Sequence, residues 1–133
     1  MAEEAAAVAE QMQVLVVDDD PAIRQLVTMA LEDEGYGAVT ARDGQDALEL
    51  LARMAEAPDV IILDMNMPRV DGWEFARRYR ESALPKAPIV VLTAAQDVAQ
   101  RCADVRADGC IGKPFDLDDL LAAVTAPKHQ HAA

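Results

Sequence analysis

The feature that most constrains the fold is a series of short, uninterrupted apolar runs rich in β-branched residues. Three of them are clear, at Val14–Val17, Val60–Leu63 and Ile89–Leu92. An uninterrupted run of this length is typical of a strand buried on both faces, as in a parallel sheet. Because parallel strands need a crossover connection, usually a helix, the runs predict strands that alternate with helices.

Helical patterns fill the intervals between the runs. Asp20 is suited to cap the first helix and Pro21 to occupy its first position. Weaker strands are predicted at 37–41 and 110–111, and Asp116 is expected to cap the last helix. Five strand–helix units predict an α/β fold, a single flavodoxin-like, doubly wound parallel sheet with strand order 2-1-3-4-5.

Composition sets the expected boundaries of the domain. Residues 1–12, rich in alanine and glutamate, are expected to form a flexible lead, residues 13–125 carry the alternating pattern, and residues 126–133 are expected to form a flexible tail. The apolar runs are far shorter than the roughly 20 residues that span a membrane, and the first residues lack the basic segment of a secretory signal. We therefore expect a cytoplasmic domain without a membrane partner.

The charge balance of the chain excludes one class of partner. A formal net charge of -12 over 133 residues repels nucleic-acid phosphates at long range, so we expect no nucleic-acid partner. Cys102 and Cys110 match no zinc spacing. In a cytoplasmic chain we expect them to be reduced and to act as two small, buried, apolar side chains.

Polar side chains stand at the ends of the predicted strands. Asp18 and Asp19 follow the first strand, Asp64 the third, Thr93 the fourth and Lys113 the fifth. Because the carboxyl ends of parallel strands lie along one edge of the sheet, we expect these side chains to meet there. Converging carboxylates favour a hard cation such as Mg²⁺, and a lysine can hold a phosphate oxygen. The set predicts magnesium-dependent phosphoryl transfer to a carboxylate.

Four motifs, in this order, resemble the receiver domain of two-component response regulators over about residues 13–125. They are Asp18-Asp19, Asp64-Met65-Asn66-Met67-Pro68 followed by Asp71-Gly72, Val91-Leu92-Thr93-Ala94, and Lys113-Pro114-Phe115. The resemblance implies that Asp64 accepts a phosphoryl group and that Asp19 and Asp64 bind Mg²⁺ through their carboxylates. Asp18 is expected to act partly through water, and the backbone carbonyl of Asn66 to complete the ligands.

The resemblance also assigns the residues that sense the phosphoryl group. Thr93 is expected to move toward it, Lys113 to contact its oxygens, and the Lys113–Pro114 bond to be cis. Receivers usually carry tyrosine or phenylalanine where this chain has Cys110, and their segment between the threonine and the lysine is slightly longer. We expect phosphorylation to survive both departures, and the coupling of Thr93 to a swinging aromatic ring to be absent or altered.

The function implied by the resemblance is that of a stand-alone switch. A histidine kinase or phosphotransfer protein is expected to phosphorylate Asp64, and the output to be contact with an unknown downstream protein, because no further domain follows Val124. We expect a monomer or a weak phosphorylation-dependent dimer, and no enzymatic activity beyond the domain's own phosphorylation and dephosphorylation.

Two alternatives remain open. One is a pseudo-receiver that binds partners without phosphorylation. The other is a small phosphatase or phosphotransferase that forms an aspartyl phosphate. Such enzymes usually carry an acid/base aspartate where Asn66 stands.

Overall fold

The computed structural model describes residues 12–67 and 69–132, with side chains described as far as Ala126. Within these residues the strands are β1 (Gln13–Val17), β2 (Gly37–Ala41), β3 (Val60–Asp64), β4 (Ile89–Ala94) and β5 (Gly109–Lys113). The helices are α1 (Pro21–Asp33), α2 (Gly44–Arg53), α3 (Gly72–Glu81), α4 (Val98–Asp104) and α5 (Leu117–Ala132), and a short 3₁₀ turn, Ala95–Asp97, precedes α4.

The five strands form one parallel sheet in the order β2-β1-β3-β4-β5. This is the predicted flavodoxin-like topology. All of β3 is buried, as are the last four residues of β1 and the first five of β4. The uninterrupted apolar runs therefore occupy the centre of the sheet, where helices cover both faces.

Successive residues of each strand point to opposite faces of the sheet, so the core has two layers. On one face Leu15 and Ile61 pack with Phe75 of α3. On the other face Val16 and Ile62 pack with Leu120 of α5. No helix of the described residues is long and apolar enough to cross a membrane.

Aspartate side chains cap four of the five helices, and α4 is the exception. The Asp20 side chain accepts a hydrogen bond from the backbone N–H of Ala22 at 2.9 Å, and Asp116 accepts one from Asp119 at 2.8 Å. Both predicted caps are therefore present. They start α1 and α5 within a few residues of the end of a strand, which keeps the connections at this edge short.

The ends of the chain differ in part from what composition indicated. Met12, placed in the lead, is 3% exposed and packs in the core, whereas residues 1–11 lie outside the described residues. Helix α5 runs through Ala132, into the expected tail. The boundary at residue 125 and the flexibility of the two ends stay predictions.

The expectation of two reduced, buried cysteines was wrong. Cys110 is exposed and Cys102 half-buried, and they form a disulfide with their Cα atoms 6.0 Å apart. The error arises because β5 is an edge strand in which only Ile111 is buried. An apolar side chain at such an edge does not gain the burial that the same residue type has in a central strand.

Candidate functional site

The predicted site residues do converge at the carboxyl edge of the sheet. One open cavity of about 570 Å³ is lined by residues from four strand ends. Its lining residues are Asp18, Asp19, Asp20, Pro21, Asp64, Asn66, Thr93, Ala94 and Lys113. The parallel topology therefore brings together all five side chains that stand at the predicted strand ends, and Asn66 lies beside them.

Asp18 is the most deeply buried of the acidic residues, with no exposed surface. One of its carboxylate oxygens accepts a hydrogen bond from the backbone N–H of Asp20 at 2.9 Å. The other lies 3.4 Å from Nζ of Lys113. The Arg24 guanidinium donates to the backbone carbonyl of Asp18 at 2.7 Å. These contacts fix the loop after β1, and the role of Arg24 had no signal in the sequence beyond its place on α1.

Asp64 ends β3, and only 4% of its surface is exposed. Its Oδ1 lies 3.8 Å from Nζ of Lys113 and accepts a long hydrogen bond, 3.3 Å, from the backbone N–H of Asn66. Lys113 therefore contacts both buried carboxylates from the end of β5. Its bond to Pro114 is cis, as predicted.

The pKa of Asp64 is raised to about 7, chiefly because burial penalises the charged carboxylate and secondly because the negative charge of Asp18 lies close by. The Lys113 ammonium lowers this pKa and only partly offsets both effects. A carboxylate with such a pKa is poised to lose its proton when a cation enters the site.

The carboxylates can hold a metal ion. One oxygen from each of Asp18, Asp19 and Asp64 can be chosen so that all three lie within 4.8 Å of one another. Carboxylate oxygens are hard ligands, and Mg²⁺ typically binds one or two of them with waters and phosphate oxygens. Asp19 is exposed and therefore open to a solvated ion, while Asp18 and Asp64 are buried beneath it. The donor set fits a hard divalent cation.

The hydroxyl of Thr93 is the second observation that points to a ligand. Thr93 is 1% exposed, and its Oγ1 has no hydrogen-bond partner among the described residues. Buried polar groups are almost always paired, so an orphaned hydroxyl on the wall of a cavity indicates a missing partner there. An anionic oxygen held by Lys113 would supply that partner.

An ion pair outside the cavity fixes the loop between β3 and α3. Arg69 donates to both oxygens of Asp43, at 2.7 and 3.0 Å, and it has a positive φ of 63°. Asp43 is buried, and the Arg69 guanidinium lowers its pKa below the usual range. No local sequence pattern indicates this pair, because the partners lie 26 residues apart in different loops.

Residues 14–125 match the family model described as the response regulator receiver domain. The chain belongs to this family. The match covers all five strands apart from Gln13, the first residue of β1, and all the residues of the acidic site.

Curated relatives agree with the family assignment. Over 117 residues the receiver is 44% identical to "Response regulator MprA" of Mycobacterium leprae and 43% identical to the protein of that name in Mycolicibacterium vanbaalenii. The alignments cover 86% of this chain and 50% and 49% of those proteins. The chain thus spans about half the length of the curated relatives it matches.

Solved structures support the fold independently. The chemotaxis response regulator CheY4 of Vibrio cholerae is 35% identical, with a TM-score of 0.75 over 92% of this chain and 99% of that one. A response regulator receiver domain protein from Clostridium thermocellum is 25% identical, with a TM-score of 0.80 over 91% of this chain and 97% of that one. The receiver therefore has the fold of two-component response regulators, together with an acidic cluster able to hold a metal.

Proposed function

We propose that this receiver is a magnesium-dependent phosphorylation switch whose acceptor is the carboxylate of Asp64. The observation that carries the proposal is the joint arrangement of Asp64, Lys113 and Thr93. A buried carboxylate, an ammonium and an unpaired hydroxyl face one open cavity beside two further carboxylates. Phosphoryl transfer needs mainly positioning and charge stabilisation, and this arrangement offers both.

Each residue has a distinct part in the proposed reaction. An oxygen of Asp64 attacks the phosphorus of a phosphohistidine on a kinase or phosphotransfer protein, and the bond from phosphorus to the imidazole breaks. Asp18, Asp19, Asp64 and the backbone carbonyl of Asn66 hold Mg²⁺, which neutralises charge on the transferred group.

Lys113 and Thr93 act on the phosphoryl group once it is in place. Lys113 exchanges its contact with Asp64 for one with a phosphoryl oxygen, and the Thr93 hydroxyl donates to another. Both residues lie at the ends of neighbouring strands, since Ala94 of β4 pairs with Lys113 of β5. A phosphoryl group therefore draws two adjacent strand ends toward one point, which shifts the domain between two conformations.

We further propose that the receiver acts in the cytoplasm as a stand-alone protein, catalyses only its own phosphorylation and dephosphorylation, and signals by protein contact. CheY4, which the alignment covers almost completely, supports a receiver of this length, whereas the length of the curated relatives counts against it. The mass of the native protein isolated from its source cells tests this, because a stand-alone receiver has the 14.4 kDa of this chain.

The phosphorylation chemistry is tested by the intact mass after incubation with acetyl phosphate and Mg²⁺. We expect one phosphoryl adduct that requires the metal and is absent from Asp64→Asn. Asp33→Asn, at the exposed end of α1, is the matched control and should be phosphorylated normally. No adduct on the native protein, from acetyl phosphate or from a histidine kinase, would replace the proposal with a pseudo-receiver that binds partners without phosphorylation.

A further inference from the structure

The Cys102–Cys110 disulfide joins two elements that flank the acidic site. Cys102 lies on α4, which follows β4 and Thr93, and Cys110 lies on β5, which ends at Lys113. The partners are eight positions apart, with a Cα–Cα distance of 6.0 Å that suits a disulfide. The covalent link therefore lies within the segment that connects Thr93 to Lys113, the two residues expected to contact a phosphoryl group.

Cys110 is accessible to another protein. Cys110 is exposed and lies on β5, the last strand at one edge of the sheet. A thiolate can approach this edge from solvent. Exposed disulfides are the ones that exchange readily, whereas buried ones resist reduction.

The disulfide cross-links a helix that buries little of its own surface. Helix α4 has no buried residue. On the side of α3, Trp73 Nε1 donates to Asp104 at 3.2 Å, and the Arg101 guanidinium lies over the Trp73 ring at 4.9 Å. On the side of the sheet, α4 packs against β4 and β5, and the disulfide adds a covalent cross-link to β5. Breaking this cross-link leaves α4 held by noncovalent contacts alone.

We propose that Cys102 and Cys110 form a reversible thiol–disulfide modification site, whose reduction by a protein dithiol loosens α4 against β5. In a reducing compartment a disulfide between exposed elements suits a redox sensor better than a structural bridge. The face formed by α4 and β5 then responds both to the redox state of the disulfide and to the phosphorylation of Asp64. The second response rests on the proposed function.

The dithiol supplies the electrons and protons that reduction of the disulfide requires. One thiolate of the reductant attacks Cys110 Sγ, the Cys102–Cys110 bond breaks, and the Cys102 thiolate leaves and takes a proton. The second thiol of the reductant then attacks the mixed disulfide and releases Cys110, which is also protonated. Two electrons and two protons pass to the cysteines, and the dithiol becomes a disulfide.

The test compares the oxidised full chain with the chain reduced by dithiothreitol, without denaturant. Alkylation followed by intact mass counts the free thiols, and amide hydrogen exchange measures the opening of α4. We expect two free thiols after reduction and exchange at residues 98–104 at least about tenfold faster, because a short closed loop is released. Exchange in β3 should not change, since β4 separates that strand from β5.

A double variant, Cys102→Ser with Cys110→Ser, separates loss of the bond from other effects of the reductant. It should exchange like the reduced protein in both conditions. Two outcomes would overturn the proposal: a disulfide that dithiothreitol reduces only after the domain unfolds, or equal exchange in α4 in the two redox states.

Phosphorylation is measured in the same samples, so that the two proposals can fail separately. Acetyl phosphate and Mg²⁺ are added to the oxidised and the reduced protein, and the adduct is followed by mass. No adduct in either redox state, from acetyl phosphate or from a histidine kinase, would overturn the proposed function, whereas the thiol count and the exchange in α4 decide on the disulfide alone.

Discussion

The centre of the sheet and its β5 edge differ in how much of their residues is buried. Every residue of β3 is buried between helices, whereas β5 buries only Ile111 and the adjacent α4 buries none. Asp64, the proposed acceptor, belongs to the first region, and Lys113 belongs to the second. Opening free energies are lowest where few apolar contacts are buried. The comparison indicates that Asp64 lies in the more tightly packed part of the sheet and that the β5 edge is the part that opens more easily.

A pair of matched core substitutions gives the strongest test of whether the centre of the sheet is packed more tightly than its edge. Ile62 of β3 and Ile111 of β5 pack in the same cluster. We expect Ile62→Ala to lower the free energy of unfolding by about 4 kcal/mol and Ile111→Ala by about 2 kcal/mol, because an edge site can collapse around the cavity. Urea unfolding followed by circular dichroism, in the presence of a thiol reductant, measures both values.

Equal losses in the two variants would contradict the comparison, because the edge would then be as tightly packed as the centre. The slope of unfolding free energy against urea serves as the control. It should be the same for both variants and the native protein, as expected for two-state unfolding to a similar denatured state.

The buried setting of Asp64 predicts a pH dependence of metal binding. The carboxyl has a pKa of about 7 without metal, and the cation binds the deprotonated form. The apparent Mg²⁺ affinity should fall by about tenfold per pH unit below 7 and level off above it, because one proton must leave. Calorimetric titration with MgCl₂ between pH 5.5 and 8.5 measures this.

Asp64→Asn is the control for the pH dependence, since it removes the titrating group. Its Mg²⁺ affinity should be weaker than the native affinity above pH 7 and should show no change near pH 7. A native affinity that does not change between pH 6 and 8 would mean that burial does not raise the pKa of Asp64.

The smallest predicted effect concerns the orphaned hydroxyl of Thr93. Thr93→Val replaces an unpaired buried oxygen with a methyl group, so the protein without a phosphoryl group should gain about 1 kcal/mol in unfolding free energy. Thr28 also has an unpaired buried Oγ1, and Thr28→Val should gain about as much. Only Thr93→Val should lose the change in amide hydrogen exchange of β4 and β5 that follows phosphorylation.

If both valine variants keep that change, Thr93 has no part in sensing the phosphoryl group. Loss of stability in Thr93→Val alone would show instead that the Thr93 hydroxyl already has a hydrogen-bond partner. The hydroxyl would then no longer indicate a ligand in the cavity.

Much of the fold could be predicted because central strands and helix caps leave local signals. Uninterrupted β-branched runs such as Val60–Leu63 suit only a strand buried on both faces, and Asp20 before Pro21 marks a helix start. Strand order then followed from the alternation of elements, and the site from the polar residues that end each strand. The family resemblance added the cis bond at Lys113, which no local pattern indicated.

The features that sequence did not predict depend on contacts between distant or exposed segments. The exposure of Cys110 follows from the position of β5 at an edge, and its disulfide follows from the approach of α4, neither of which has a local signature. The pairing of Arg69 with Asp43 depends in the same way on two loops that meet only in the folded chain. The pKa of Asp64 is raised because the folded chain buries its carboxyl next to Asp18, and no local pattern indicates that burial.

The central claim is that Asp64, and neither Asp18 nor Asp19, carries the phosphoryl group. Borohydride reduces an aspartyl phosphate to homoserine and leaves free carboxylates intact, so peptide mapping of the reduced protein locates the acceptor. After incubation with acetyl phosphate and Mg²⁺, the account predicts homoserine at position 64 alone and unmodified aspartate at 18 and 19. Homoserine at position 18 or 19, with aspartate retained at 64, would contradict it.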